Sequence, residues 1–302
     1  MGIELSTAGP ELVNESPAQI ALSGASTVKG IGLSQAFFGG SYRWSVLELS
    51  AQIGKFENPL ATSPLLWDSD LRPEGAAESL DFSFSDQFQI ALYGAQYSID
   101  QVSASLTGGT PVRRSWMFQQ GVLGQLSLAN DTTIRLATSL TMFTNVSERL
   151  ARASSQHGNS LEDPTSPNPH LKETLWPIEF FGEARAYPLG ILTVLKGALL
   201  VNFQTDDQQR GFYTSASIGN SWKKNNLQGE VSYIYLEPDV TLDLLADHRF
   251  GNGNRKGPRF QMSFYVLDGL RVGSAFLYSE VLQSNLDQAA RKEWTLDFEY
   301  RF

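Results

Sequence analysis

The sequence predicts an all-β protein: a transmembrane, antiparallel up-and-down β-barrel of about 14 strands, built as one domain over residues 1–302. Three observations predict it. The last ten residues alternate between apolar and polar without a lapse. Segments with the same alternation recur along the whole chain. The connections between them are short and long in strict turn, which is how barrels with tight turns on one side of a membrane and long loops on the other are built.

In the terminal stretch Trp294, Leu296, Phe298, Tyr300 and Phe302 fall on even positions, and Glu293, Thr295, Asp297, Glu299 and Arg301 on odd ones. A period of two gives a strand one oily face and one wet face. An edge strand of a soluble sandwich would alternate in the same way. The pattern, closing on an aromatic carboxy-terminus, resembles the last strand of bacterial outer-membrane barrels. That resemblance implies that Phe298, Tyr300 and Phe302 belong to the signal read by the barrel-insertion machinery.

From the start, Gly2–Thr7 reads as a short first strand and Ala8–Gly30, rich in Pro, Ser and Gly, as a long loop. Ile31–Phe38 and Trp44–Phe56 pair across a tight Gly39-Gly40-Ser41 connection. After the loop Glu57–Ala77 come Glu78–Ser85 and Gln87–Ser98, turning at Asp86. A loop through Gly108-Gly109-Thr110-Pro111 leads to Trp116–Leu128 and Thr133–Thr144, joined at Asn130-Asp131. Asn145–Thr174 is the longest loop, full of Ser, Asn, Pro and charge.

Ile178–Ala186 and Ile191–Phe203 pair across Tyr187–Gly190, and a polar loop, Gln204–Arg210, follows. Phe212–Trp222 and Leu227–Leu236 turn at Lys224-Asn225-Asn226. In the next long loop, Glu237–Pro258, residues Asp239–His248 could make about two helical turns. Phe260–Val266 and Leu270–Tyr278 turn at Asp268-Gly269, and Gln283–Lys292 reaches the terminal strand. Counted back from Phe302, every longer loop falls on the same side. A soluble sandwich has no reason to sort its loops so, nor to place Trp and Tyr near strand ends.

Composition narrows the function classes. A net charge of -9 argues against a nucleic-acid partner. Hydrophobic content of 41% looks ordinary for a soluble chain, yet barrel strands of about ten residues with a wet face average out near neutral. With no cysteine there is neither a disulfide nor a thiolate metal site. Histidine occurs only at 157, 170 and 248, all in expected loops; Ser160 near His157 has no fixed acid partner, so the sequence predicts no enzyme.

Two stretches carry a resemblance to a family. Gly54-Lys55-Phe56-Glu57-Asn58-Pro59 and Leu65-Leu66-Trp67-Asp68-Ser69-Asp70-Leu71-Arg72-Pro73-Glu74-Gly75 resemble putative porins of Gram-negative outer membranes. Gly219–Tyr235, Glu237-Pro238-Asp239 and Asp247-His248-Arg249-Phe250-Gly251 are similar to the later half of that family. The resemblance implies location in the bacterial outer membrane, contact with its lipid, and passage of small hydrophilic solutes. Family members carry a leader and further amino-terminal strands, whereas this chain enters abruptly at Gly2; the native barrel is therefore expected to have 14–16 strands, roughly the even-numbered range of such barrels. Porins often trimerise, so a homotrimer is one assembly the resemblance allows, although no strand offers an oily patch to mark a subunit contact.

On a barrel the wet faces line the lumen. That assigns Glu48, Gln52, Asp81, Arg135, Glu179, Glu183, Arg185, Lys196, Glu230, Arg259, Arg271, Asp297, Glu299 and Arg301 to the pore wall. A bore of this width is not plugged by wall side chains alone, so an inward loop is expected to constrict it. The Trp67–Gly75 loop is preferred over Asn145–Thr174 because Trp, Pro and Leu give it something to pack with; its marked residues are Trp67, Asp68, Asp70, Arg72 and Glu74. No cofactor is expected. Calcium on the acidic residues of that loop, or on Asp239, Asp243 and Asp247, is the one exception the oxygen ligands suggest, and an ordinary solvated acidic loop is the plainer reading. The leading expectation is a passive diffusion channel; an occluded structural or adhesive barrel and a soluble all-β binding protein are the alternatives.

Overall fold

Fourteen strands follow one another along the chain in this computed structural model, which describes residues 2–8, 30–60, 62–99, 115–219, 224–284 and 288–300. They are β1 (Gly2–Ala8), β2 (Gly30–Trp44), β3 (Leu47–Lys55), β4 (Glu74–Ser83), β5 (Phe88–Ser98), β6 (Trp116–Ser127) and β7 (Thr133–Thr144). The second half holds β8 (Pro177–Ala186), β9 (Thr193–Asn202), β10 (Arg210–Ile218), β11 (Leu227–Leu236), β12 (Arg255–Leu267), β13 (Leu270–Val281) and β14 (Arg291–Tyr300). They form a single barrel-like sheet in sequence order, each strand antiparallel to its chain neighbours. Among the described residues no ladder joins β1 to β14.

The connections explain this order. Two-residue turns leave a strand nowhere to go but beside its predecessor. Asn130 and Asp131 both take positive φ (60° and 55°) between β6 and β7, a conformation their short polar side chains tolerate. One expected turn is misplaced in the sequence reading: Gly39-Gly40-Ser41 lies inside β2, paired with Gln52, Ala51 and Ser50, and the chain reverses instead at Ser45 (φ 54°) and Val46. A glycine pair reads as a turn, but the backbone is extended there and Cβ at Gly39 would crowd Gln52, so the pair marks close strand approach.

Side chains sort by face, apart from one polar interruption at Glu78 and Gln120. Leu49, Ile53, Leu92, Leu136, Phe180, Leu199, Phe260, Met262, Leu296 and Phe298 stand exposed on the outer surface. Aromatic residues bracket this apolar band at both ends: Tyr42, Trp44, Tyr187 and Tyr300 towards the short turns, Trp116, Trp176, Tyr235 and Trp294 towards the long loops. An apolar exterior between two aromatic belts is what a bilayer demands of strands that cross it. No helix among the described residues is long and apolar enough to span a membrane.

The core lies inside, and it is made of loops. The connections at residues 56–73, 145–176 and 237–254 fold over the inner face of the sheet. They bury Phe56, Leu65, Leu66 and Trp67 from the first, Leu150 and Leu175 from the second, and Val240, Leu242, Leu245 and Phe250 from the third. Wall residues Tyr97, Leu200, Tyr213, Ile234 and Leu236 complete the cluster. The second loop contains α1 (Glu148–Ser155), capped by the Ser147 side chain, which accepts from the Leu150 N–H. The third has two single 3₁₀ turns, at Asp243–Leu245 and His248–Phe250, in place of the expected helical turns.

Candidate functional site

The inner wall is charged in patches. Thirteen of the fourteen wall positions marked in the sequence lie in described strands, and all share the inward face by the ladder register. Arg301, like Phe302, lies outside the described residues. Glu183 on β8 is the hub of one patch: Arg185 donates to it at 2.8 Å, Lys196 stands at 3.6 Å and Arg135 at 3.9 Å. Three cations around one carboxylate leave that wall locally positive, against the negative total of the chain. Arg271 on β13 is shared between Asp297 and Glu299 of β14. Arg43 pairs with Glu48, and Asp81 accepts from the Ser79 hydroxyl.

Glu179 is placed differently. It is fully enclosed, and its Oε1 accepts from the Ser63 N–H at 2.9 Å. It fastens the first loop to the wall and does not face an open bore. Tyr97 does the same from β5, its hydroxyl donating to Asn58 Oδ1 at 3.0 Å.

The first loop enters the interior, though its acidic residues do not form the open cluster anticipated. Asp68 is completely buried and joined to the third loop: the His248 N–H donates to its Oδ2 at 3.1 Å and His248 Nδ1 lies 2.5 Å from the same atom. Backbone bonds reinforce the junction, Asp68 N–H to Leu245 O at 2.8 Å and Asp247 N–H to Pro64 O at 2.9 Å. Asp70 lies close enough that Asp68, Asp70 and His248 offer three ligand atoms within 4.8 Å of one another. Asp68, however, is already fully engaged by hydrogen bonds. Arg72 is spent on Glu57 at 2.7 Å and on the Ser69 carbonyl. Glu74 is no loop residue: it opens β4 opposite Lys55, exposed.

The preferred loop is not alone inside: among the described residues three loops share the interior. The sequence carried the signal for the third. Val240, Leu242, Leu244 and Leu245 are too apolar for a solvated loop, and an apolar run between charges marks a segment that packs. Asp247, His248 and Arg249, which the sequence marks by the family resemblance and Asp247 also as a calcium candidate, instead form the junction with the first loop; Arg249 grips Asp247 with two nitrogens, at 2.6 and 3.0 Å.

Burial lowers the proton affinity of His248, but the bond and charge of Asp68 outweigh it, so its pKa stands above the ordinary 6.5. Burial raises Asp68, and the His248 and Asp70 bonds outweigh that, holding it below 3.8. The His248 contribution is thus complete below 6.5 and fades as pH climbs through its raised value. The Asp68 contribution is complete above 3.8 and fades as pH falls through its lowered value. Between those limits the latch is fully charged. Protection of the Asp68 and Asp247 amides from hydrogen exchange, corrected for intrinsic rates, should therefore be highest near pH 5–6 and fall on the alkaline side as the loops loosen. In His248→Asn the protection should be low and flat with pH. Equal protection across the range in the unaltered protein would show that the His248–Asp68 pair does not hold the loops together.

Space remains beside the loops. One cavity of about 440 Å³ lies between the first loop and β8–β11, lined by Asn58, Ser63, Trp67, Lys196, Glu230 and Arg249 among others. A second of about 440 Å³ lies against β2–β6, where Gln52, Pro59, Leu60, Asp81 and Tyr93 meet. Leu60 touches both. The first loop therefore divides the interior instead of sealing it.

Residues 5–171 match the family described as Putative porin. Among solved structures the chain is similar to OprB from Pseudomonas putida, in its high-pH structure: TM-score 0.52, 10% identity, covering 89% of this chain and 73% of that one. LpxR from Salmonella typhimurium aligns at TM-score 0.30 and 12% identity, covering 75% of this chain and 88% of that one. No curated protein matches.

Proposed function

Because this chain belongs to the putative porin family, we propose that it is an outer-membrane porin through which small hydrophilic solutes or ions diffuse passively. The observation that carries this reading is the inversion of faces: apolar side chains outside between aromatic belts, charged ones inside beside two cavities. The reading is one of transport, without catalysis. Outer-membrane lipid is the partner of the exterior, and the exposed Phe298 and Tyr300 of β14 are what the insertion machinery would read.

A homotrimer is supported by one interruption of the apolar surface. At one level of the ladder the outer face carries Gly40, Ala51, Glu78, Gly94 and Gln120 side by side, small or polar where other strands carry Leu and Phe. Glu78 facing lipid alone would be destabilising, though by less than the roughly 2–4 kcal/mol of an Arg or Lys at the midplane, and a subunit contact avoids that cost.

The occluded barrel is the second reading, favoured by the apolar loop cluster. Reconstitution in a planar bilayer under a salt gradient separates the two. A porin gives discrete conductance steps with a defined reversal potential. A bilayer that stays silent after verified insertion overturns the channel reading and leaves the occluded barrel.

A further inference from the structure

The third loop places oxygen-bearing side chains at alternate positions, Asp239, Thr241 and Asp243, where it meets the second loop. Thr241 and Asp243 are completely enclosed and Asp239 nearly so. Neither carboxylate oxygen of Asp243 has a hydrogen-bond partner among the described residues, and neither does the Thr241 hydroxyl. Asp239 engages one oxygen, Oδ1, with the Ser160 N–H at 2.8 Å and Asn159 Nδ2 at 3.4 Å.

The surrounding polar groups are otherwise well matched. Asn159 accepts from the Asp243 N–H at 2.9 Å and donates to the Thr241 carbonyl at 2.8 Å; Ser154 Oγ accepts from the Leu244 N–H at 3.1 Å. What is left over on the third loop is the Thr241 hydroxyl and both carboxylate oxygens of Asp243. A buried carboxylate with no partner costs several kcal/mol, and two acids side by side cost more. The loop's own cations are directed elsewhere: Arg249 to Asp247, and Arg255, through Nη1, to Ser279 and the Ala289 carbonyl, with only its Nε unpartnered. The chain also closes around Asp243 with glycine. A Cβ on Gly253 would fall 1.9 Å from its Cγ, and one on Gly158 would fall 2.3 Å from its Oδ2. No side chain has room to approach from those directions.

We propose that Asp239, Thr241 and Asp243 hold one hard divalent cation, calcium by the chemistry of an all-oxygen donor set, which ties the second inward loop to the third. Carboxylate and hydroxyl oxygens with backbone carbonyls suit calcium, and the absence of nitrogen or sulfur donors disfavours zinc. Burial and the neighbouring Asp239 push the Asp243 carboxyl well above the usual carboxylate range, so the occupant competing with the metal is a proton.

The site is independent of conduction, and its test reads binding directly. The full chain in detergent, stripped with EGTA, is dialysed against radioactive calcium at pH 7.5. One ion per chain is expected. Asp243→Asn should abolish binding, and Thr241→Val should weaken it by on the order of tenfold while keeping the shape of the buried side chain. Each variant is first checked for the boiled-versus-unboiled gel shift of a folded barrel; if Asp243→Asn fails it, Thr241→Val decides. No calcium on the unaltered chain, as a protonated Asp243 would give, overturns the proposal. So does calcium bound equally by the unaltered chain and the folded variants.

Discussion

Excising residues 58–71, with Glu57 joined to Arg72 through two glycines, should raise single-channel conductance several-fold. The ends are already together: Phe56 N–H donates to Pro73 O at 3.2 Å and Arg72 pairs with Glu57 at 2.7 Å, so β3 and β4 need no rearrangement. The excised piece includes Leu60, which borders both cavities, Trp67, which lines one of them, and Leu65 and Leu66, which belong to the buried cluster of the interior. Ionic conductance follows the open cross-section, and removing the partition merges two narrow spaces into one. The third loop would lose its anchor as well, since Leu245 O, Asp247 N–H and His248 all bond to this segment. Strand content by circular dichroism should be unchanged, because the barrel ladders lie outside the deletion. Unaltered conductance in a folded variant would show that the first loop does not set the constriction.

The second large effect concerns charge. Arg135→Glu with Arg185→Glu turns the positive patch around Glu183 negative. Both arginines are nearly half exposed, 44% and 47%, so they act on whatever occupies the interior, whereas Lys196 is kept as partner for the buried Glu183. Leaving Glu183 with no cation would cost about 3–5 kcal/mol and confuse selectivity with stability. The zero-current potential should move strongly towards the cation limit, about 59 mV for a tenfold gradient of univalent salt. Because wall charges act through water, the shift should shrink in molar salt, where screening reaches only about 3 Å. A potential that does not move would place the ion path away from β7–β9.

Much of this architecture was legible in the sequence because strand periodicity is local. Trp294 to Tyr300 announce their faces one residue at a time, and β6–β7 and β11 were read to within two residues. The turn between β2 and β3 was not legible, because Gly39-Gly40 satisfies the chemistry of a turn and of close strand packing alike. The wall charges followed from the same alternation. The interior did not. That Asp68 meets His248, or that Glu179 holds Ser63, depends on contacts 180 and 116 residues apart in sequence, and no local pattern encodes which loops meet. Glu74 escapes the pattern for a smaller reason: β4 starts four residues before its apolar alternation.

The nearest-neighbour order of the strands has one more consequence. Each ladder is closed by residues adjacent along the chain, so a growing sheet can accept one hairpin after another without undoing any pairing already made. The inward loops are the opposite case: their partners arrive many hairpins apart. Assembly in the bilayer should therefore come in two stages, a wall that zips in order and an interior that knits only once distant strands have curled round to face each other.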